Sequence, residues 1–352
     1  MKVGVVLSAP LVAVLLGACH TTAPIAGELA PPLEQAQEEQ TSLGIAYDPA
    51  LIDSMIRELP ESTEWEAVYA HIAMISDMAA LGPGLPLEAE LSPTVNRDKA
   101  EETIEAYEKA MGIWSFFGME SVPAVWSLMS EDDFDWWYQR VQDIEGDNPA
   151  LDVWDPVANR MGHCYPDAYS FCGYGNPQAS SGITFQYNII GSKYEGEPNT
   201  NTVAHEAVHF YQDALSPSLM SFTPCWYVEG QATLIGNAVS GSFDRNGVSR
   251  FGYPGLPGDA SWSTAQWIEL LDDYTYDDQV KSECVQSEYN YSVGAAIFEY
   301  LYSNYSLWQI HELSLAVVES EDWEESLQLV LGTSVTELHD ELADHLQSVT
   351  NS

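Results

Sequence analysis

The stretch "TVAHEAVHFYQ", from Thr202 to Gln212, contains residues whose types and spacing suit metal chemistry. His205 and His209 are four residues apart, so on an α-helix both imidazoles lie on one face, one turn from each other. Two imidazoles so placed can reach a single zinc ion, and Glu206 can reach a water molecule on that ion without binding the metal. The spacing predicts a hydrolytic metal centre with Glu206 as general base. The alternative is a surface helix that carries unrelated polar residues.

Two further stretches supply candidates for the rest of such a site. A catalytic zinc ion needs three protein ligands and one open position. Glu229, in "WYVEGQA", lies 20 residues beyond His209 on a second predicted helix. Tyr291, in "NYSVGAAIFEYL", opens another amphipathic helix, and Tyr289 is close enough to be confused with it. Asp213, one turn beyond His209, could orient a ligand, although a solvated helix end explains it at least as well.

The order of these motifs resembles a known family. A strand, an HExxH helix and then a helix bearing Glu-Gly-x-Ala is similar to the gluzincin zinc metallopeptidases, in the peptidase MA-like branch around aminopeptidase N. The resemblance covers roughly residues 180–350 and is strongest over 203–232. It implies one Zn²⁺ per chain, with His205, His209 and Glu229 as the metal ligands.

The resemblance also implies a reaction. Zinc-activated water would cleave a peptide bond, with Glu206 as general base and Tyr291 donating to the oxyanion. The segment "ITFQYNII" has nothing like the Gly-x-Met-Glu-Asn segment by which the aminopeptidases hold a free amine, so aminopeptidase activity is not expected. The expected substrate is a peptide or protein. The alternative is a non-catalytic surface binding lipoprotein on a peptidase-like fold, and the oligomeric state stays open.

The hydrophobic periodicity indicates an α+β fold that is mostly helical. Apolar residues recur three and four apart over most of the chain, whereas "ITFQYNII" alternates as a strand does. We expect a small sheet with an edge strand beside the HExxH helix, followed by a helical C-terminal subdomain. The edge of strand 183–190 is the expected place for an extended peptide to pair. The predicted domains are a helical N-terminal region, 45–160, and a gluzincin-like zinc peptidase domain, 161–352.

The amino-terminal residues predict export. Residues 1–18 have a basic start and an apolar run too short to span a bilayer, followed by the letters LGAC, which resemble a bacterial lipobox ending at Cys19. A plain secretory signal is the alternative. Residues 19–44 are rich in Pro, Ala, Gln and Glu and indicate a flexible tether. We therefore expect a lipoprotein anchored at the cell envelope, at the outer membrane or cell surface, whose only membrane attachment is lipid on Cys19.

The net charge limits the expected binding partners, and the cysteine content bears on disulfides. The chain has 11 Lys and Arg against 54 Asp and Glu, a formal net charge of −43, which would repel nucleic acid and anionic lipid headgroups. Such acidity suits either a high-salt habitat or cationic ligands. Export permits disulfides. With Cys19 assigned to lipid, four cysteines remain, and they can pair in three ways. The favoured scheme joins Cys164 to Cys172 and Cys225 to Cys284.

Overall fold

The computed structural model describes residues 47–82, 89–118, 124–130, 132–145, 172–176, 184–189, 200–216, 218–241, 262–276 and 288–351. All of these belong to one compact unit. The predicted signal peptide, lipidated Cys19 and tether lie outside the described residues, as do Cys164 and Cys284. The division at residue 160 stays a prediction.

Helices dominate the described residues, which confirms the predicted mostly helical α+β class. The amino-terminal elements are α1 (Pro49–Arg57), α2 (Trp65–Ala79), β1 (Ala89–Leu91), α3 (Arg97–Ser115), β2 (Ala124–Met129), α4 (Phe134–Glu145), β3 (Cys172–Asn176) and β4 (Thr184–Ile189). The carboxy-terminal elements are α5 (Thr200–Leu215), α6 (Leu219–Phe222), α7 (Cys225–Ser240), α8 (Thr264–Tyr276), α9 (Glu288–Asn304), α10 (Leu307–Ser320), α11 (Trp323–Val330) and α12 (Val335–Asn351). No helix among the described residues combines the length and the hydropathy that crossing a bilayer requires.

The strands form one sheet in the order β1-β2-β4-β3. β1, β2 and β4 run parallel, and β3 is antiparallel to β4. The predicted strand is therefore confirmed over 184–189, but the assignment of strand 183–190 as the edge is wrong. β4 is internal because it pairs with β2 on one side and β3 on the other. The strand at the edge of the described sheet and in contact with α5 is β3.

Helix α7 is the centre of the core. It is buried over almost its whole length and packs against α5, α9, α2 and α3, as expected for a helix that is apolar on most of its surface. Its approach to α9 is very close, because a Cβ on Gly230 would lie 2.4 Å from the carbonyl carbon of Gly294. Its approach to α5 is also close, because a Cβ on Gly236 would lie 2.9 Å from the carbonyl oxygen of Asn201. Only glycine permits this spacing.

The helices on either side of this centre support it. From the amino-terminal part, α3 packs along α5, where Trp114 stacks on Tyr211 with ring centroids 3.8 Å apart and planes 8° apart. Tyr211 also shares a 2.7 Å hydrogen bond with Nδ1 of His311 on α10. At the carboxy-terminal end, α8 and α9 pack on α12, and α10 packs on α11. Tyr211 thus joins α5 to both α3 and α10.

Candidate metal centre

The structure brings together the three predicted metal ligands. Nε2 of His205 lies 3.0 Å from Nε2 of His209 and 3.1 Å from Oε2 of Glu229. Nε2 of His209 lies 3.2 Å from the same carboxylate oxygen. These side chains form a group that could hold a metal ion, and their ligand atoms all lie within 4.8 Å of one another.

The separations suit a small divalent cation. Zinc in a tetrahedral site lies about 2.0–2.2 Å from nitrogen and oxygen ligands, which puts those ligands about 3.3–3.6 Å apart. The observed 3.0 to 3.2 Å are slightly shorter, so a small outward movement of the three side chains would accommodate the ion. Two imidazoles and a carboxylate are also a donor set that zinc uses in catalytic sites.

Two helices supply the three ligands. His205 and His209 share one face of α5, as their four-residue spacing predicts. Glu229 lies one turn after the start of α7 and faces them across the close contact between these helices. His205 and Glu229 are only 8% and 9% exposed, so the carboxylate has lost most of its hydration and depends on the imidazoles for compensation.

The electrostatics of the group show strong coupling. Burial opposes charge on His209, but the carboxylates of Glu229 and Glu206 outweigh it and raise the pKa of His209 to about 10. Burial likewise opposes charge on Glu229, yet the two imidazoles hold its pKa well below the usual range. Without a cation, a proton on His209 therefore supplies the positive charge that the buried carboxylate needs.

The two predicted catalytic side chains lie beside this group. Glu206 is partly buried on α5, and its charge acts on His209, Asp213 and Tyr291. The Tyr291 ring is stacked against His205, with centroids 5.6 Å apart and planes 26° apart, and is 39% exposed. Burial and the nearby carboxylates raise the pKa of Tyr291, so its hydroxyl is protonated and able to donate at neutral pH.

The side chain of Tyr289, the alternative oxyanion donor, lies outside the described part of α9. Asp213 is largely buried near the group, and burial together with Glu206 raises its pKa to about 6 although His209 opposes the shift. The hydrogen bond that orients His209 comes from another residue. Oε1 of Gln212 lies 2.8 Å from Nδ1 of His209.

Sequence analysis did not identify Gln212, although it lies in the stretch that drew attention to the site. Helical spacing puts a residue three positions after His209 near the same face, but it does not distinguish a buried amide from a surface one. Thr233 of α7 was also missed, and its hydroxyl makes a longer contact of 3.5 Å with Nδ1 of His205. Cys225, at the start of the same helix, is disulfide-bonded. Its partner is outside the described side chains, so the Cys225–Cys284 pairing stays a prediction.

Comparisons with protein-family models, curated proteins and solved structures found no match for this chain. Its function is therefore inferred from the residues and their geometry.

Proposed function

We propose that this chain is a zinc-dependent peptidase of the gluzincin type, exported and anchored at the cell envelope by lipid on Cys19. The observation that carries the proposal is the convergence of three ligand atoms from His205, His209 and Glu229, with Glu206 placed next to a ligand but outside the ligand group. A site that only binds metal needs its ligands alone. A further carboxylate beside it suits proton transfer.

His205, His209 and Glu229 would hold one Zn²⁺ per chain. When bound, the ion lowers the pKa of water and polarises a carbonyl group, which are the two effects that amide hydrolysis requires. The same ligand set can bind other divalent ions. We propose zinc because two imidazoles and a carboxylate are ligands that it prefers.

Glu206 would act as the general base. It takes a proton from water as the water oxygen bonds to the carbonyl carbon, and it passes that proton to the nitrogen of the leaving amine as the C–N bond breaks. Its partial exposure suits this role, because a carboxylate that contacts substrate must be reached from the solvent side.

Tyr291 would donate a hydrogen bond to the oxyanion of the tetrahedral intermediate. Its phenol is protonated at neutral pH, and the raised pKa extends this to more alkaline solution. Its ring lies beside His205 of the proposed ligand group. Loss of a single oxyanion donor typically costs about 3 kcal/mol in the transition state.

The proposed substrate is a peptide or protein in extended conformation. The outer edge of β3 is the candidate place for it, because β3 ends the described sheet and contacts α5, which carries the proposed ligands. Pairing there would use main-chain hydrogen bonds, as in other cases of strand addition. We do not propose aminopeptidase activity, since the sequence lacks the segment that holds a free amine.

The first test is metal content together with cleavage. Zinc per chain is measured by elemental analysis in the wild type, His205→Ala and Glu206→Gln, and the same samples are assayed on a quenched peptide library. Glu319→Gln, a change of an exposed glutamate on α10, is the matched control for Glu206→Gln. We expect one zinc per wild-type chain, loss of zinc in His205→Ala, and loss of cleavage with zinc retained in Glu206→Gln.

Two results would contradict the proposal in different ways. A folded wild type without stoichiometric metal would refute the metal centre itself. Stoichiometric zinc without cleavage of any library member would favour the binding lipoprotein on a peptidase-like fold.

A further inference from the structure

A chain of buried hydrogen bonds leads away from His209 into the core. Oε1 of Gln212 lies 2.8 Å from Nδ1 of His209, and Nε2 of Gln212 donates to Oε1 of Gln231 at 2.9 Å. Nε2 of Gln231 in turn donates to the hydroxyl of Tyr302, also at 2.9 Å. Gln212, Gln231 and Tyr302 are between 1% and 3% exposed, so water does not compete for these contacts. The chain links three helices, α5, α7 and α9.

The orientation of the Gln212 amide is determined by a group that can only accept. Nε2 of Gln212 also donates to the backbone carbonyl of Val228, at 2.9 Å. If the amide were rotated by 180°, its oxygen would face this carbonyl oxygen and its NH₂ would face His209. The observed orientation is therefore the one that pairs every group. With an acceptor oxygen against Nδ1, His209 carries a proton there, so the neutral imidazole that binds a metal ion has its lone pair on Nε2.

We propose that Gln212 is a positioning residue that holds His209 with Nδ1 protonated and Nε2 directed at the metal, and that Gln231 and Tyr302 hold Gln212 in that orientation. The inference rests on the proposed metal centre and adds to it the residues that prepare one ligand. Partners of this kind fix the tautomer and the ring angle of metal-binding histidines and typically change metal affinity by about 10–100-fold.

The two histidines differ in this respect. The contact of His205 Nδ1 with the Thr233 hydroxyl is 3.5 Å, at the limit of a hydrogen bond, and a hydroxyl can donate or accept. It therefore does not select a tautomer as the Gln212 carbonyl does. We expect the orientation of His209, more than that of His205, to depend on buried neighbours.

The test compares zinc dissociation constants, measured by competition with a chelator, across a series of variants. Gln212→Met removes the acceptor at similar volume and should weaken zinc binding about 10–100-fold. Gln212→Glu restores an acceptor to Nδ1 but turns its second oxygen towards the Val228 carbonyl, so it should recover only part of that loss. Gln231→Met should have a smaller effect and Tyr302→Phe the smallest, because each acts through the residue before it.

Metal affinity must be separated from folding stability, because all three residues are buried. Gln309→Met is the matched control: Gln309 completes the capping box of α10, so its loss destabilises a helix without touching the site. A purely structural role for Gln212 would make Gln212→Met behave like Gln309→Met, with a lower melting temperature and an unchanged zinc dissociation constant.

A spectroscopic measurement tests the tautomer directly. In the cobalt-substituted protein, the proton on Nδ1 of a ligand histidine gives a shifted NMR signal that exchanges with water. We expect slow exchange for His209 in the wild type and in Gln212→Glu, and fast exchange in Gln212→Met. If Gln212→Met is too unstable to purify, Tyr302→Phe replaces it in this measurement. The His209 proton should then exchange faster in Tyr302→Phe than in the wild type.

The outcomes distinguish the inference from the proposed function. A wild type that binds no metal would overturn the proposed function and the inference with it. If the wild type binds zinc and Gln212→Met has an unchanged dissociation constant, the inference is overturned and the metal centre stands. If Gln212→Met cannot be prepared, an unchanged exchange rate in Tyr302→Phe has the same meaning.

Discussion

Two buried carboxylates, Glu229 and Asp133, have hydrogen-bonding partners of different kinds. They are 9% and 7% exposed, and each has its pKa held below the usual range. Asp133 accepts hydrogen bonds from the hydroxyls of Ser92, Thr94 and Ser130 and from the backbone N–H of Thr94, where β1 and β2 end and α4 begins. Glu229 faces two imidazole nitrogens instead.

The difference lies in what the partners can do. Hydroxyl and amide groups keep their protons, so they satisfy Asp133 permanently, and the carboxylate serves to join β1, β2 and α4. Each imidazole can present either an N–H or a lone pair to the carboxylate of Glu229, so a proton or a metal ion can complete the group. The partners of a buried carboxylate thus indicate its role better than its burial does.

The largest expected effect follows from exchanging each carboxylate for its amide. Glu229→Gln replaces the carboxylate of the proposed ligand group with a neutral amide. It should weaken zinc binding by roughly a thousandfold or more, whereas loss of a residue that only orients a ligand typically costs about 10–100-fold. Asp133→Asn should leave zinc binding unchanged. Zinc titration with a chromogenic chelator measures both. Equal losses in the two variants would show that fold damage, and not ligation, controls metal binding.

The residues around Glu229 also show how much of the site could be predicted from the sequence. The four-residue spacing of His205 and His209 fixes their common helix face, so local geometry alone identified two of the three proposed ligands. Glu229 required the added resemblance, because its position depends on the packing of α7 against α5. Gln212 and Gln231 were missed, since their role arises only from the contacts between helices.

The sheet was only partly predictable for a related reason. β4 alternates apolar and polar residues and was recognised, whereas β3, "CGYGN", has two glycines and no alternation. β1 is three residues long, and β2 is a short apolar run that could equally be part of a helix. These strands exist because their backbones pair with neighbours, which a single stretch of sequence does not record. The wrong edge assignment for strand 183–190 has the same origin.

The second prediction concerns the helix contact that places Glu229 and Tyr291. In Gly230→Ala the new methyl would meet the backbone of Gly294, which cannot rotate away, so α7 and α9 must separate. We expect a loss of about 1–3 kcal/mol in the free energy of unfolding, measured with denaturant, and weaker zinc binding. Gly112→Ala is the matched control, because its methyl would make only a tight contact, 3.1 Å, with Ala79.

That control should leave zinc binding intact, since Gly112 lies on α3 and its added methyl would meet the end of α2 and none of the proposed ligands. If Gly230→Ala and Gly112→Ala had the same effect on zinc affinity, the close contact between α7 and α9 would have no part in forming the site. Asp133 takes no part in this contact, so its hydrogen bonds from Ser92, Thr94 and Ser130 should survive in both variants.

The third prediction concerns the proton that His209 carries when no metal ion is bound. The pKa of His209 is raised to about 10, so at pH 7 the metal-free group holds a proton that zinc must displace. Zinc binding should release about one proton, and the affinity should rise about tenfold per pH unit between pH 6.5 and 8.5. Calorimetry in buffers of different ionisation enthalpy counts the released protons. Binding that releases none would mean that His209 is already neutral in the metal-free protein.

The smallest expected effect concerns Asp133 in acid. Burial opposes its charge, but the hydrogen bonds from Ser92, Thr94 and Ser130 outweigh burial and lower its pKa below the unfolded value. The stability that it contributes is therefore present above a pH of about 4 and is lost as the pH falls through the folded pKa. Asp133→Asn should be less stable than the wild type by about 1–2 kcal/mol at pH 7, because the amide cannot accept from all of these donors.

That deficit should shrink below pH 4, where the wild-type carboxylate takes up a proton and loses its own advantage. Unfolding by denaturant at pH 7, 5 and 3 measures the difference between the two proteins. Asp135→Asn, a change of an exposed carboxylate in the first turn of α4, is the control. Both variants should bind zinc as the wild type does. A deficit that stays constant down to pH 3 would mean that Asp133 acts through its shape and not its charge, and the contrast with Glu229 would lose its electrostatic basis.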